Sequence, residues 1–597
     1  MKSAFQTKKQ YRVSYDIYEE KNIFLVCLSL CCTILLTACS HSNITNDYSS
    51  SDNQDTSSTI SRTDTSGMDF SFENTDTIAS VTGDTVTDIS SATESGTNSA
   101  NNTYNITTGG VYTFTGDKTD VMLLIDAGES DVTVVLSGVI IKNSKGPAIY
   151  VCSADKVTLT LADGTVNTLS DGSSYSITDS NSTLDATIFS KADLTINGTG
   201  TLNIEGNYKH GVVCKDDLII SSGTLNVNSQ NVGLCGKDCV KINSGNITVN
   251  AGSDGIRADN TEDASKGYIY LYGGAVDIIA ANDGIQAETV INIENVDLKI
   301  TAGGGSGNSL SSSSESYKGL KSSSDIYITD GTFNINSKDD CIHSNGTITI
   351  SGGAYTLSSG DDGIHADTDL QISGSSTTLT INKSYEGIEA TNIVISGGNI
   401  SVTATDDGLN AAGGNNTNST SDGFMRPGRN NFSSSNGSIK ITGGNIYINM
   451  SGDGIDANGT LDITGGNITV SGANRGDTAI LDFDSTGTIE GGTFIGTGAS
   501  NMAQNFSSSS TQGVIFTTCS TQSAGTKIAL KDSSGNIVLS HSADQDFSCI
   551  ILSHALIKKG ETYTLTIGSS TQTIAMSSTV YGSGSGIGGG MHGGRPF

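Results

Sequence analysis

One short pattern carries most of the chemistry in this sequence. It reads SDGIRA at Ser253–Ala258, NDGIQA at Asn282–Ala287, DDCIHS at Asp339–Ser344 and DDGIHA at Asp361–Ala366. It returns as YEGIEA at Tyr385–Ala390, DDGLNA at Asp406–Ala411 and GDGIDA at Gly452–Ala457. Each copy sets an acid before a glycine (once a cysteine, Cys341) and an aliphatic residue. The acids are Asp254, Asp283, Asp340, Asp362, Asp407 and Asp453, with Glu386 in the same series. Stacked at the strand spacing of about 4.8 Å, they form a column that repels itself. In water one such pair costs only about 0.8 kcal/mol, but seven acids accumulate several terms. Turn N–H groups, protons or a cation can relieve that repulsion. Capping accounts for one acid per turn and less well for the doublets Asp339–Asp340, Asp361–Asp362 and Asp406–Asp407. Calcium takes six to eight oxygens in irregular geometry, so Ca2+ on the column is the expected cofactor and capping the plain alternative.

The variable residue of the pattern gives a second row: Arg257, Gln286, Lys321, His343, His365, Glu389, Asn410 and Asp456. Arg257, Lys321, His343 and His365 could serve as the base of a calcium-dependent lyase, which removes a proton beside a sugar carboxylate. The row repeats no chemical type, so a solvated outer face is the reading preferred to catalysis. Sugar binding would use aromatic faces. GYIYLYGG sets Tyr268, Tyr270 and Tyr272 on one side of a strand, and Tyr327 and Tyr447 hold comparable outward positions. They could form a platform for pyranose rings or simply stack across strands.

The elements that must position these residues are short strands. VTVVL (Val132–Leu136) and VTLTL (Val157–Leu161) alternate with period two. Gly211, Gly233 and Gly255 are 22 residues apart, as are Gly319, Cys341 and Gly363. Three strands and three bends in about 22 residues describe one coil of a parallel β-helix. The aliphatic residues then point inward, the acids sit at a corner outside the core, and glycine suits a bend with unusual backbone angles. After Gly491 the repeat fades into a small β-sandwich-like cap, which would cover the open end. The expected organisation is a signal peptide over 1–38, a disordered Ser/Thr/Asp-rich stalk over 39–100, a β-helix over 101–496, a cap over 497–578 and a disordered Gly-rich tail over 579–597. The stretch 413–436 reads as an insertion between coils.

Composition narrows the function. The chain has 597 residues with 31 Lys plus Arg against 62 Asp plus Glu, a net charge of −31. That excludes non-specific nucleic-acid binding and favours solubility and cations. Basic residues, an apolar run over Ile23–Leu36 and then LTACS (Leu36–Ser40) make a secretory signal. Leu-Thr-Ala-Cys resembles a bacterial lipobox. It implies lipidation at Cys39 and anchoring at the extracellular face of the bacterial cell membrane, against an uncleaved anchor or ordinary cleavage. The seven cysteines beyond Cys39 lack a disulfide or zinc spacing and read as small core residues, with a Cys519–Cys549 disulfide left open.

Longer blocks carry a family likeness. GVYTFTG (Gly110–Gly116), GPAIYV (Gly146–Val151), ADKVTLTLADGTVNTLSDG (Ala154–Gly172), SKADLTINGTGTLNI (Ser190–Ile204) and GNYKHGVVCKDDLII (Gly206–Ile220) occur in order. They resemble the clostridial β-helix carbohydrate-binding family, over about 101–574. The resemblance implies a right-handed parallel β-helix, kin to pectate lyases, that binds acidic plant polysaccharide and cellulose-like material and holds calcium. The expectation is thus a monomeric, lipid-anchored polysaccharide-binding protein, not an enzyme. A calcium-dependent lyase and a purely structural adhesin are the alternatives.

Overall fold

Short apolar-alternating strands with no helix-forming stretch between them leave the backbone one way to satisfy its N–H and C=O groups. Each strand pairs with its equivalent one coil away. The computed structural model describes residues 63–73, 86–88, 102–308, 315–412 and 437–584, all within the unit Ile60–Phe597. Cys39 and the signal segment lie outside the described residues, as does 413–436. The described chain is all-β, with parallel pairing from Val86–Asp88 through Thr493–Gly498. It is a parallel β-helix of three strands per coil.

The first face is made by the repeated pattern, as in Ile256–Ala258, Ile285–Ala287, Leu320–Ser322, Ile342–Ser344, Leu409–Ala411 and Ile455–Ala457. The second carries strands such as Cys239–Ile242, Tyr268–Leu271 and Ile326–Ile328. The third carries the longest, such as Asn246–Ala251, Asn399–Ala404 and Asn445–Met450. Ile256, Ile285, Leu320, Ile342, Ile364, Ile388, Leu409 and Ile455 are all fully buried and form the inward ladder of the first face. Burying each such side chain is worth ~1.5–3 kcal/mol, so the ladder is the main force winding the coil.

The glycine of the pattern is required for a different reason than the expected bend. None of Gly255, Gly284, Gly319, Gly363, Gly387, Gly408 or Gly454 has the positive φ that favours glycine. A Cβ on Gly255 would instead stand 2.6 Å from the carbonyl oxygen of Gly284, the same residue one coil on. Close approach between coils excludes a side chain there. The left-handed backbone lies at another corner, at Gly398, Gly444 and Gly466, with φ of 90°, 95° and 92°.

Three regions depart from the expected organisation. Residues 63–73 fall in the stretch read as a stalk, yet they dock on the second face: Met68 is buried among Cys239, Tyr268, Tyr270 and Val290. Val86–Asp88 pairs in parallel with Val111–Thr113 and extends the sheet backwards. Low average hydrophobicity hid the few apolar residues that do the docking. At the other end Val580 and Tyr581, within the presumed tail, pair with Val514 and Ile515. The cap is a four-stranded antiparallel sheet of Ile537–Ser542, Lys527–Lys531, Thr562–Ile567 and Ser570–Ala575. Ile528, Leu530 and Leu565 of that sheet share a core with Ile515, Phe547, Ile550 and Leu552. Phe547–His554 pairs antiparallel with Thr493–Gly498, which closes the open strand edge of the last coil. The seven described cysteines are all free, Cys519 and Cys549 included.

Candidate functional site

The coil register brings the recurring acids into one file. Each aspartate of the file uses one oxygen in the same way, accepting the backbone N–H of the equivalent residue in the next coil, whereas Glu386 accepts from the Asn410 side chain. Asp254 takes the N–H of Asp283 at 3.3 Å, Asp340 that of Asp362 at 3.0 Å, Asp362 that of Glu386 at 3.4 Å and Asp407 that of Asp453 at 2.6 Å. The expectation that the acids stand outside the core is corrected here. Asp254, Asp283, Asp340, Asp362 and Glu386 are all buried: the capping bond draws each aspartate in between coils, and the Asn410 amide holds Glu386. Asp407 and Asp453 are half-buried.

The second carboxylate oxygen meets the variable row. Register aligns Arg257, Gln286, Lys321, His343, His365, Glu389, Asn410, Asp456 and Asp482. Arg257 lies 3.2 Å from Asp254, Lys321 3.2 Å from Asp283, His343 Nδ1 2.8 Å from Asp340 and His365 Nδ1 3.1 Å from Asp362. The reading of this row as a solvated face is therefore corrected: Arg257, Lys321 and His365 set charge against the acid column, and His343 hydrogen-bonds it. Sequence reasoning also missed Lys318, which stands in the acid position of its own coil, before Gly319. Its N–H bonds Asp283 Oδ1 at 2.7 Å, and its ammonium lies 3.2 Å from Asp339 and 2.5 Å from Asp340. The glycine series pointed to it, since the acid position is always the residue before.

Charge follows from this pairing. Burial alone would raise the Asp340 carboxyl, but Lys318, His343 and His365 outweigh it and hold it well below the usual range. Burial opposes the charge on His365, yet Asp362, Asp367 and Glu389 outweigh burial and hold the imidazole protonated well above its usual range. His343 and His365 stack with ring centroids 4.9 Å apart. Both nitrogens of His365 face carboxylates, with Nε2 3.2 Å from Asp367 and Nδ1 3.0 Å from Glu389. A protonated imidazole has no lone pair for a metal, so this cluster is an ion-pair network.

Beyond Glu389 the cations stop. The ligand oxygens of Asp407, Asp453 and Asp456 lie within 4.8 Å of one another, and among the described residues none of the three has an ion-pair partner. Burial, with the charges of Asp406 and Asp482, pushes Asp407 up to about 7. Burial and Asp407 push Asp453 up to about 7, and burial with Asp407 and Asp482 pushes Asp456 up to about 8. One more group points here. Asn410 is 2 % exposed; its Nδ2 donates to Glu386 at 2.6 Å, and its Oδ1 has no partner. Asp456 is its register neighbour on the following coil. Three carboxylates and a desolvated carbonyl, with no nitrogen or sulfur, suit a hard oxygen-seeking ion such as Ca2+. Of the six expected metal residues, Asp407 and Asp453 come together with Asp456 in this set. Asp254, Asp283, Asp340 and Asp362 are occupied by cationic side chains.

The tyrosines do not make one platform. Tyr268 and Tyr270 are 5 % and 2 % exposed, covered by Phe70 and Phe72, while Tyr272 stands 48 % exposed. Tyr327 shares the register row of Tyr270 through Asn292 and bonds Asp325. Tyr447 lies on the third face, where its hydroxyl bonds Asp544 of the cap at 3.1 Å. Equal outward parity in the sequence does not say which of three faces a strand occupies.

Comparison with known proteins shows the family. The model of a family described as carbohydrate-binding domain-containing protein matches residues 100–363, 346–422 and 363–544. A protein of that same description from Acetivibrio thermocellus is 38% identical over 201 residues, which span 33% of this chain and 70% of that protein. A solved structure described as a polysaccharide lyase-like protein from C. thermocellum, a gadolinium derivative, is 38% identical. It covers 37% of this chain and 90% of its own, with a TM-score of 0.34.

Proposed function

The chain belongs to the carbohydrate-binding domain-containing family, and from that premise we propose that it is a lipid-anchored surface protein that holds acidic polysaccharide through Ca2+ at the cation-free end of its acid column. The observation that carries the proposal is the set of Asp407, Asp453 and Asp456, with no cationic partner among the described residues, and the unpartnered oxygen of Asn410, the register neighbour of Asp456. Asp407, Asp453 and Asp456, with the Asn410 carbonyl, would hold the ion. Bound there, Ca2+ supplies positive charge and open coordination positions for an anionic ligand. Without it, a carboxylated chain would meet only like charge at this end of the face.

One argument favours binding over a lyase. A general base must be unprotonated near its working pH. His365 is held protonated between three carboxylates, and Lys318 is held charged, against its burial, by Asp340 and Asp339. The cationic groups of the column thus serve its acids. The LTACS sequence supports anchoring at Cys39 on the outer face of the membrane.

Titration calorimetry with Ca2+, then with polygalacturonate and with a cellulose oligomer, tests the reading. We expect Ca2+ binding that is lost in Asp407→Asn/Asp453→Asn and polygalacturonate binding that is lost in chelator. Polygalacturonate binding by the wild-type chain that is undiminished in chelator would remove calcium from the reading. Appearance of unsaturated products by ultraviolet absorbance would restore the lyase. Metabolic labelling with a fatty acid, lost in Cys39→Ala, checks the anchor.

A further inference from the structure

The segment Thr63–Glu73 lies against the second face in a groove whose chemistry the acid column does not explain. Lys241 is 3 % exposed, and every hydrogen bond of its ammonium goes to this strap. Nζ donates to the Asp69 carboxylate at 2.9 Å, the Ser71 carbonyl at 2.7 Å and the Asp69 carbonyl at 3.3 Å. The Tyr268 hydroxyl donates to the Asp69 carbonyl at 3.0 Å. Phe70 sets its edge against Tyr268 and Tyr270 at 5.3 and 5.4 Å, and Phe72 stacks on Tyr270 at 5.5 Å with 25° between planes. The groove thus holds one carboxylate, two carbonyl acceptors and two flat apolar faces in fixed order.

A uronic-acid chain offers that same set: a carboxylate on each ring, hydroxyl and ring oxygens as acceptors, and a flat C–H face that stacks on tyrosine. The strap is bound from the outside. The Asp69 side chain is 61% exposed, and Phe70 and Phe72 are only half-buried. We propose that the groove of Lys241, Tyr268, Tyr270 and Tyr272 is a second, calcium-independent site for an acidic sugar chain, and that the strap occupies it as a built-in competitor. The Asp69 carboxylate takes the place of the uronate and Phe72 that of a pyranose face. This rests on the reading that the protein binds acidic polysaccharide, but it uses different residues and no ion. An intrachain competitor lowers apparent affinity by the fraction of molecules in which the groove is open, so removing it strengthens binding without any new contact.

The test uses the full chain in chelator, which silences the calcium site, with a short oligogalacturonate as probe. Met68→Ser/Asp69→Ala/Phe70→Ala/Phe72→Ala removes the strap's apolar and charged anchors while leaving the solenoid strands unchanged, and Asp69→Lys repels Lys241 by charge alone. Iodide quenching of tyrosine fluorescence reports the opening of the groove. We expect greater quenching and at least tenfold tighter oligogalacturonate binding in both variants. The gain should be lost when Lys241→Met is added. An open groove with no gain in affinity overturns the proposal. So does a groove that stays covered in both variants, since the strap would then be a fixed part of the wall. Calcium-dependent binding by the wild-type chain, measured separately, judges the first site. Either site can therefore fail alone.

Discussion

The coils from Asp254 to Asp367 and those from Asp407 to Asp482 have the same backbone, the same inward ladder and the same capping of one coil by the acid of the last. They differ in one row of side chains. In the earlier coils Arg257, Lys321, His343 and His365 lie on the acids, with Lys318 inserted into the column itself. In the later coils the equivalent positions are Asn410, Asp456 and Asp482. In one stretch the column acids each meet a cation, although burial with Asp340 and Asp339 still pushes neighbouring Asp361 up to about 7; in the other, Asp407, Asp453 and Asp456 meet none among the described residues. A solenoid permits this because each coil interacts mainly with its neighbours. The earlier stretch is fixed architecture, and the later one is where an external charge completes the structure.

The sharpest way to break this comparison is to neutralise one acid in each stretch. Asp340→Asn removes the carboxylate that faces Lys318 and His343. Stripping one partner from a buried pair typically costs ~3–5 kcal/mol, so thermal unfolding in chelator should move sharply down. Asp453→Asn removes a charge that the fold disfavours, since burial and Asp407 push its pKa up to about 7. Unfolding in chelator should then move up, and the stabilisation by Ca2+ should vanish. Two shifts of the same sign would dissolve the distinction.

Proton linkage gives a smaller effect. Asp407, Asp453 and Asp456 have folded values of about 7, 7 and 8, above the ~3.9 of an unfolded aspartate. The folded state therefore keeps protons that the unfolded state has released. Stability from these groups is fully present below about pH 4 and is lost as pH rises through 7–8. Each tenfold displacement of a proton equilibrium is worth ~1.4 kcal/mol. In chelator the melting temperature should fall between pH 5 and pH 8, and the rise produced by Ca2+ should grow over the same range. A flat profile would mean that the acids are neutralised by another route.

The smallest effect sharpens the comparison. Asp456→His sets into the later stretch the residue that the earlier stretch has at His365. A hydrogen bond to a charged partner contributes ~1.5–3 kcal/mol. The variant should be modestly more stable in chelator and less responsive to Ca2+, as judged by melting with and without the ion.

Much of this was legible in the residues. The 22-residue return of an acid, a glycine and an aliphatic residue specifies a coil, and register then follows because Ile256, Ile285 and Ile342 must all point inward. The acids as a file were equally legible. Their burial was not, because it depends on a bond from each carboxylate to the backbone of the next coil. The pairing of His365 with Asp362, three residues before it in the adjoining bend, was open to local reasoning, whereas its contact with Glu389 crosses between coils. The covering of Tyr268 and Tyr270 was hidden most deeply. Nothing local links Phe70 and Phe72 to a strand some 200 residues later.

By itself the sequence determined the period, the inward ladder and the order of charges along each row, since these depend only on which residue recurs at which spacing. Tertiary structure alone decided which acids are neutralised and which tyrosines are covered. Both depend on side chains meeting across coils or across long loops, at distances that spacing along the chain does not encode.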